Sequence, residues 1–137
     1  MKYSTKLSDA VHIMVFIELS NQITLTSTEI AASIQTNPAY VRQLMAKLKA
    51  AGLIQSRRGQ AKPCLDRKPE EITLLDVYRA VEGTKPLLHL DTHTNPECGV
   101  GIYIQLSLQD YFDQVQAKAE EEMKQITLQD ILNRYHS

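Results

Sequence analysis

Residues 36–59 read TNPAYVRQLMAKLKAAGLIQSRRG, and this stretch decides the predicted fold. Asn37 is a favourable N-cap, and Pro38 suits the first helical position, where its missing N–H costs nothing. Gly52 suits the left-handed position that ends a helix. The pattern therefore predicts a helix from Pro38 to about Ala51. One face is apolar, with Val41, Leu44, Met45 and Leu48, and the other shows Ala39, Tyr40, Arg42, Gln43, Ala46, Lys47 and Lys49.

The segments on either side of this helix supply the other parts of a winged helix-turn-helix. Residues 7–19 carry apolar side chains at helical spacing, and residues 26–29 have the form of a capping box before a short helix that ends at Ile34. Residues 53–56 predict a strand, followed by a loop that returns towards 64–65. Two short helices followed by a β-wing predict this motif within residues 1–83, with the wing at about 53–66. The fold class is mainly α with a small β-wing.

Positive charge is concentrated in the same region. Residues 36–62 hold six Lys and Arg and no acidic residue. Residues 1–68 hold ten Lys and Arg against four acids, whereas the remainder holds five against twelve. This asymmetry predicts that the first half meets a polyanion, while the second half does something else.

Composition narrows the class of protein. The chain has 137 residues, 43% of them apolar, which is enough for one compact domain or a small domain with an extension. No apolar run approaches the length of a membrane span, and the N-terminus does not have the pattern of a signal peptide. With two cysteines, the chain is predicted to be cytoplasmic and to lack a disulfide framework. No phosphate-binding glycine loop, nucleophile elbow or HExxH pair is present, so an enzyme is not predicted.

The second half predicts a linker and a long helix. A helix capped by Thr73 ends at Gly83, and residues 84–101 are rich in turn formers. A helix over 102–125 carries a narrow apolar stripe suited to a partner helix, although a single stripe can also pack on its own domain. The stripe consists of Ile104, Leu108, Phe112, Val115, Ala119 and Met123. Residues 126–130, ITLQD, repeat the pattern of 72–76, ITLLD, which we interpret as shared capping chemistry at the start of a terminal helix.

Residues 37–59, together with PEEITLLDVYRAVEG at 69–83, resemble the Rrf2 family of bacterial transcription regulators. The resemblance extends over essentially the whole chain. It implies a homodimer with a winged helix-turn-helix in each subunit, a dimerisation helix matching 102–125, and a role as a repressor. Family wings usually carry a glycine run and an aromatic residue after Arg-Gly, whereas QAKPCL follows Arg58-Gly59 here. Members that hold an iron–sulfur cluster place three cysteines before the dimer helix, where this chain has only Cys98, so no cofactor is predicted.

A recognition helix over 38–51 predicts a set of DNA contacts. Lying in a major groove, it would present Arg42 and Gln43 to base edges and bring Ala39 and Tyr40 close to the duplex. The expected backbone contacts are Lys47, Arg57 and Lys62, with Arg58 able to enter a minor groove. The same charges would also suit a solvated helix face beside a charged loop. The agreement of capped helix pair, wing and charge favours double-stranded DNA as the partner.

The linker at 84–101 is the candidate site for a signal. Cys98 precedes the long helix and could sense oxidation, and Cys64 in the wing is a second candidate. His89, Asp91, His93 and Cys98 form a loose set of metal-ligating side chains that matches no tight ligand motif, so no metal site is predicted. A small molecule or a protein remains an alternative effector for this segment.

The leading prediction is therefore a homodimeric regulator, a repressor by resemblance, that binds an inverted-repeat operator. The alternative is a protein-interaction module built on a winged-helix scaffold, since a fold does not determine a function. A third possibility is that the dimer binds DNA while an enzyme or another protein docks on the acidic half. The outward face of helix 38–51 distinguishes the first two, because an exposed apolar patch there would favour a protein partner.

Overall fold

The structure is a computed structural model that describes residues 4–20, 26–56, 63–90 and 99–136. Within these ranges it is mainly helical with one two-stranded antiparallel sheet, which confirms the predicted fold class. The elements are α1 (Lys6–Leu19), α2 (Ser27–Ile34), α3 (Pro38–Ala50), β1 (Ile54–Ser56), β2 (Pro63–Leu65), a 3-10 turn (Pro69–Glu71), α4 (Leu74–Glu82), α5 (Gly99–Gln125) and α6 (Leu128–His136).

The helix-turn-helix begins and ends its helices at the predicted residues. The Thr26 hydroxyl accepts a hydrogen bond from the backbone N–H of Glu29 at the start of α2. At the start of α3, Asn37 Oδ1 accepts one from the N–H of Tyr40 at 2.8 Å. Gly52 follows α3 with φ +75°, a conformation that favours glycine. These side chains satisfy backbone groups that a helix terminus would otherwise leave unpaired.

The two strands of the wing are attached to the core at their base. In the register of the pair, Ile54 lies opposite Leu65, Gln55 opposite Cys64 and Ser56 opposite Pro63. Leu53 and Ile54 are buried, so the start of the wing is held by packing. The predicted contacts Arg57, Arg58 and Lys62 lie outside the described residues.

One hydrophobic core joins α1, α2, α3, β1 and α4 with the C-terminal helix. Its buried members include Ile13, Met14, Ile30, Val41, Leu44, Leu48, Leu53, Ile72, Val77, Val81, Leu128 and Leu132. Leu128 and Leu132 belong to this core and to α6, which contacts α1 and the 3-10 turn. The sequence predicted the winged helix-turn-helix within residues 1–83, whereas the core of that domain also includes α6.

The repeated ITLLD and ITLQD segments pair with each other. Thr73 and Thr127 form an isolated antiparallel bridge. The N–H of Leu74 donates to Ile126 O, and the N–H of Leu128 donates to Ile72 O, both at 2.8 Å. Each threonine also forms a full capping box with the Asp three residues later. The recurrence is therefore capping chemistry, as predicted, and also a tertiary contact that joins α4 to α6.

The long helix α5 is the least covered element. It begins at Gly99, so the last three residues of the segment predicted as a linker are helical. None of its 27 residues is buried, and its main contact is with α4. No helix in the described ranges combines the length and the apolar character needed to cross a membrane.

Candidate nucleic-acid interface

The middle of the solvent-facing side of α3 carries small side chains and one amide. Ala39, Gln43, Ala46 and Ala50 recur at steps of three and four, and all four are exposed. Residues at this spacing share one face of a helix. They lie opposite the buried Val41, Leu44 and Leu48. Because three of the four side chains are alanines, this face can approach another surface closely. Gln43 is the long polar side chain among the four.

One flank of α3 borders a cleft and supplies its two positively charged side chains. Arg42, Ala46 and Lys49 form one wall, and Thr26, Ser27 and the strand residues Ser56 and Pro63 form the others. The cleft has a volume of about 430 Å³. Arg42 Nη1 donates to the Ser27 hydroxyl across it at 3.2 Å. No acidic side chain is among the residues that line it.

The opposite flank of α3 forms hydrogen bonds to α1 and α4. Lys47 Nζ donates to the carbonyl of Val81, near the end of α4, at 3.4 Å. The Tyr40 hydroxyl donates to Asp9 Oδ2 of α1 at 2.8 Å. Tyr40 is half-buried against the core, so its predicted place on the outward face is corrected: the ring lies between α3 and α1. Burial, then the hydrogen bond to Asp9 and its negative charge, raise the pKa of Tyr40 to about 12.

The cations of α3 keep their charge free of acidic partners in the described ranges. The ion pairs found there are Arg67–Asp76, Arg79–Glu120 and Lys118–Glu121. None of them includes Arg42, Lys47 or Lys49. These ion pairs therefore do not neutralise the positive charge of α3, which can attract a polyanion.

The candidate sensor residues are divided between described and undescribed positions. Cys64 is half-buried in β2, across from Gln55, and carries a free thiol. Cys98, Asp91 and His93 lie outside the described residues, and His89 is exposed. In the part of the chain that the structure describes, no three His, Cys, Asp or Glu side chains cluster as metal ligands would.

The predicted stripe on α5 is largely exposed. Ile104 is 51% and Val115 49% exposed, and Leu108 is exposed as well, whereas Phe112, Ala119 and Met123 are partly covered. Further apolar side chains are exposed around the first half of the helix: Val100, Ile102, Tyr103, Leu106 and Tyr111. The stripe prediction missed these five, although the absence of charge from Gly99 to Gln109 is visible in the sequence.

A polar joint connects α4 to α5. Gln116 Oε1 accepts from the N–H of Leu87 at 2.8 Å, and its Nε2 donates to the Tyr78 hydroxyl and to Glu120. Arg79 pairs with Glu120 at 3.0 Å. Hydrogen bonds from Gln116 and Arg79 hold the pKa of Glu120 below its usual range. The joint thus fixes the start of the linker to both helices.

The similarity of the chain to known proteins shows its family. Residues 3–134 match the model of the Rrf2 family, described as "Iron-dependent Transcriptional regulator". The chain belongs to the Rrf2 family. YwnA of Bacillus subtilis (strain 168), assigned as an HTH-type transcriptional regulator, is 37% identical over 131 residues, which cover 95% of this chain and 96% of YwnA.

Solved structures agree with the family assignment. A crystal structure of a protein assigned as DNA-binding has 35% identity and a TM-score of 0.76, covering 93% of this chain and 98% of the other. IscR of T. potens has 27% identity and a TM-score of 0.71, covering 98% and 88%. The chain is thus a transcriptional regulator with a DNA-binding fold and not an enzyme, which confirms those two predictions.

Proposed function

We propose that this Rrf2-family regulator is a homodimer that binds an inverted-repeat operator, with one α3 in each of two major grooves, and that it represses transcription. The observation that carries the proposal is the uncovered apolar surface of α5. Twofold symmetry in the protein would match twofold symmetry in the operator. Repression is the role that the family resemblance implies.

The length and surface of α5 support the dimer. At 1.5 Å per residue, 27 residues extend about 40 Å. The joint with α4 engages the helix around Gln116 and Glu120. The first half, from Gly99 to about Tyr111, is rich in exposed aliphatic and aromatic side chains. A contiguous exposed apolar surface marks an interaction site. The α5 helix of a second copy carries the same apolar stripe and can pack against this one.

The face of α3 supports DNA rather than protein as its partner. Its exposed side chains are alanines, Gln43 and the cations Arg42, Lys47 and Lys49. The large apolar residues of the helix, Val41, Leu44 and Leu48, are buried. A protein-docking helix would instead present apolar anchors at such positions. We therefore rank the protein-interaction module second.

The segment from Thr84 to Cys98 is the proposed place of a signal. Its first residues are attached to both α4 and α5, because the Tyr78 hydroxyl donates to Lys85 O at 2.7 Å and Leu87 donates to Gln116. A thiol modification or a bound ligand in this segment would therefore change the positions of both α4 and α5. Since Lys47 of α3 contacts the end of α4, such a change could reach the recognition helix.

The residues of this chain do not fit a three-cysteine iron–sulfur site. The chain has two cysteines, and only Cys98 lies in the segment before α5. Cys64 lies in β2 of the wing, paired across the sheet with Gln55. Two thiols cannot supply three thiolate ligands from one chain. We infer that regulation does not depend on such a cluster.

Selection from a randomised duplex pool with reduced full-length protein tests the proposal. We expect enrichment of an inverted repeat whose half-sites are about one helical turn apart, and a steep fall of affinity with salt. A reporter driven by that sequence should be less active when the protein is present. Failure to enrich any sequence at low salt would contradict operator binding, and enrichment of a single half-site would contradict the dimer.

A further inference from the structure

We propose that Arg42 and Lys49 hold the phosphate backbone of the operator in the cleft beside α3, and that Ser27 positions the Arg42 guanidinium for this contact. This inference rests on the proposed operator binding and deepens it. It assigns Arg42 to the backbone instead of to a base edge, and it assigns Lys49 a contact that the sequence pattern had placed on Lys47.

The position of the two cations on α3 is the first argument. Arg42 and Lys49 are seven residues apart, so they lie on the same side of the helix, two turns and about 10 Å from each other. Both lie along one flank of the central row of Ala39, Gln43 and Ala46. A helix in a major groove presents its central row to the bases and its flanks to the backbones of the two strands.

The hydrogen bond between Arg42 and Ser27 is the second argument. Arg42 Nη1 donates to the Ser27 hydroxyl at 3.2 Å, which draws the guanidinium away from the central row and towards α2. A guanidinium held in this way keeps several N–H groups for a phosphate, whose oxygens match its planar fork. Ser27 therefore acts as a positioning residue for Arg42.

The chemistry of the cleft is the third argument. Besides the two cations, its walls carry the hydroxyls of Thr26, Ser27 and Ser56, which can donate to phosphate oxygens. No carboxylate lines the cleft. Lys49 is exposed and takes no part in the ion pairs of the described residues. A compact ammonium group of this kind suits a phosphate as a point charge.

The other flank explains why Lys47 is less suited to the role. Its ammonium group is within 3.4 Å of the Val81 carbonyl, at the end of α4. A lysine near the end of a helix interacts favourably with the carbonyl groups there. Both lysines are exposed, but Lys47 already donates a hydrogen bond to α4, whereas Lys49 lines the cleft.

The test measures operator affinity against salt for variants of the full chain, using the duplex selected by the wild type. Arg42→Ala and Lys49→Ala should each weaken binding about ten-fold. Each should also reduce the slope of log K against log salt by about one. Repeating the selection with either variant should recover the wild-type sequence. Gln43→Ala should instead relax the preference at one base position in each half-site.

Ser27→Ala provides the positioning test. It should weaken binding about three-fold while leaving both the salt slope and the selected sequence as in the wild type. Combined with Arg42→Ala, it should add little, because its effect acts through the guanidinium. Lys124→Ala is the matched control, since it removes an exposed positive charge at the far end of α5. Thermal unfolding checks that each variant is folded.

Three outcomes would overturn the inference while leaving operator binding intact. A changed base preference for Arg42→Ala would make Arg42 a base reader. An unchanged affinity and salt slope for Lys49→Ala would remove Lys49 from the interface. A Ser27→Ala protein indistinguishable from the wild type would remove the positioning role. By contrast, a wild type that selects no sequence contradicts the proposed function itself.

Discussion

At the scale of single residues, Tyr40 illustrates how a side chain in a recognition helix can serve the fold. Its hydroxyl donates to Asp9 of α1, and its ring packs against the core. The contact links α3 to α1 within the domain. A tyrosine that looks like a duplex contact in the sequence therefore acts first as a link between two helices.

Tyr40→Phe should lower the free energy of unfolding at neutral pH by about 1 kcal/mol, because it removes this hydrogen bond. Folding raises the pKa of Tyr40 from its ordinary value of 10.0 to about 12, so folding favours the neutral phenol. The stabilisation is fully present below pH 10 and is lost as the pH rises through 12. Denaturant unfolding of both proteins at neutral and alkaline pH measures it. A difference that stayed constant or grew above pH 10 would contradict the assignment.

At the scale of elements, the C-terminal helix α6 completes the core of the helix-turn-helix domain. Leu128 and Leu132 are 2% and 4% exposed and belong to the hydrophobic core, where α6 contacts α1 and the 3-10 turn. The bridge between Thr73 and Thr127 sets the position of α6 relative to α4. Thus α6 belongs to the core of the domain, whereas no residue of α5, which precedes it, is buried.

Leu132→Ala should destabilise the protein by about 2–5 kcal/mol, because it empties a buried site on α6. Asn133→Ala is the matched control on the same helix, since Asn133 is exposed. Chemical denaturation of both variants measures the difference. Equal stability of the two variants would show that α6 is not part of the cooperative core.

At the scale of the whole molecule, the exposed apolar surface of α5 should determine the assembly. Leu108→Glu places a charge in the middle of the stripe and should convert a dimer into a monomer, with a loss of operator affinity of at least about ten-fold. Lys124→Glu alters charge on the same helix away from the stripe and should leave the dimer intact. Light scattering coupled to gel filtration reports the mass. A Leu108→Glu protein that remained dimeric would move the interface elsewhere.

The cysteine content makes a second prediction for the whole molecule. Anaerobic incubation with ferrous iron and sulfide, followed by desalting, should leave a protein without the visible absorption of an iron–sulfur cluster. Operator affinity should be the same before and after the treatment. Retention of the absorption by the wild type and its loss in Cys98→Ser would contradict this. Oxidation of the reduced protein tests separately whether Cys98 or Cys64 responds as a thiol.

The local features of this fold were predictable because they depend on neighbours only a few residues away. The caps at Thr26, Asn37 and Thr73, the helix end at Gly52 and the periodicity of α3 each involve groups within about one helical turn. The charge of the recognition region is likewise a property of composition. These features were sufficient to indicate a winged helix-turn-helix, whereas the family was indicated by the resemblance of residues 37–59 and 69–83.

The tertiary structure decided which flank of each helix is covered, because that depends on parts of the chain far away in sequence. Tyr40 donates to Asp9 and Lys47 donates to Val81 O, so one flank of α3 contacts α1 and α4, whereas Lys49 on the other flank lines the cleft. The pairing of ITLLD with ITLQD needs α6 to return across the domain. Helical periodicity locates a face, but only the packing of α1, α4 and α6 determines what that face contacts.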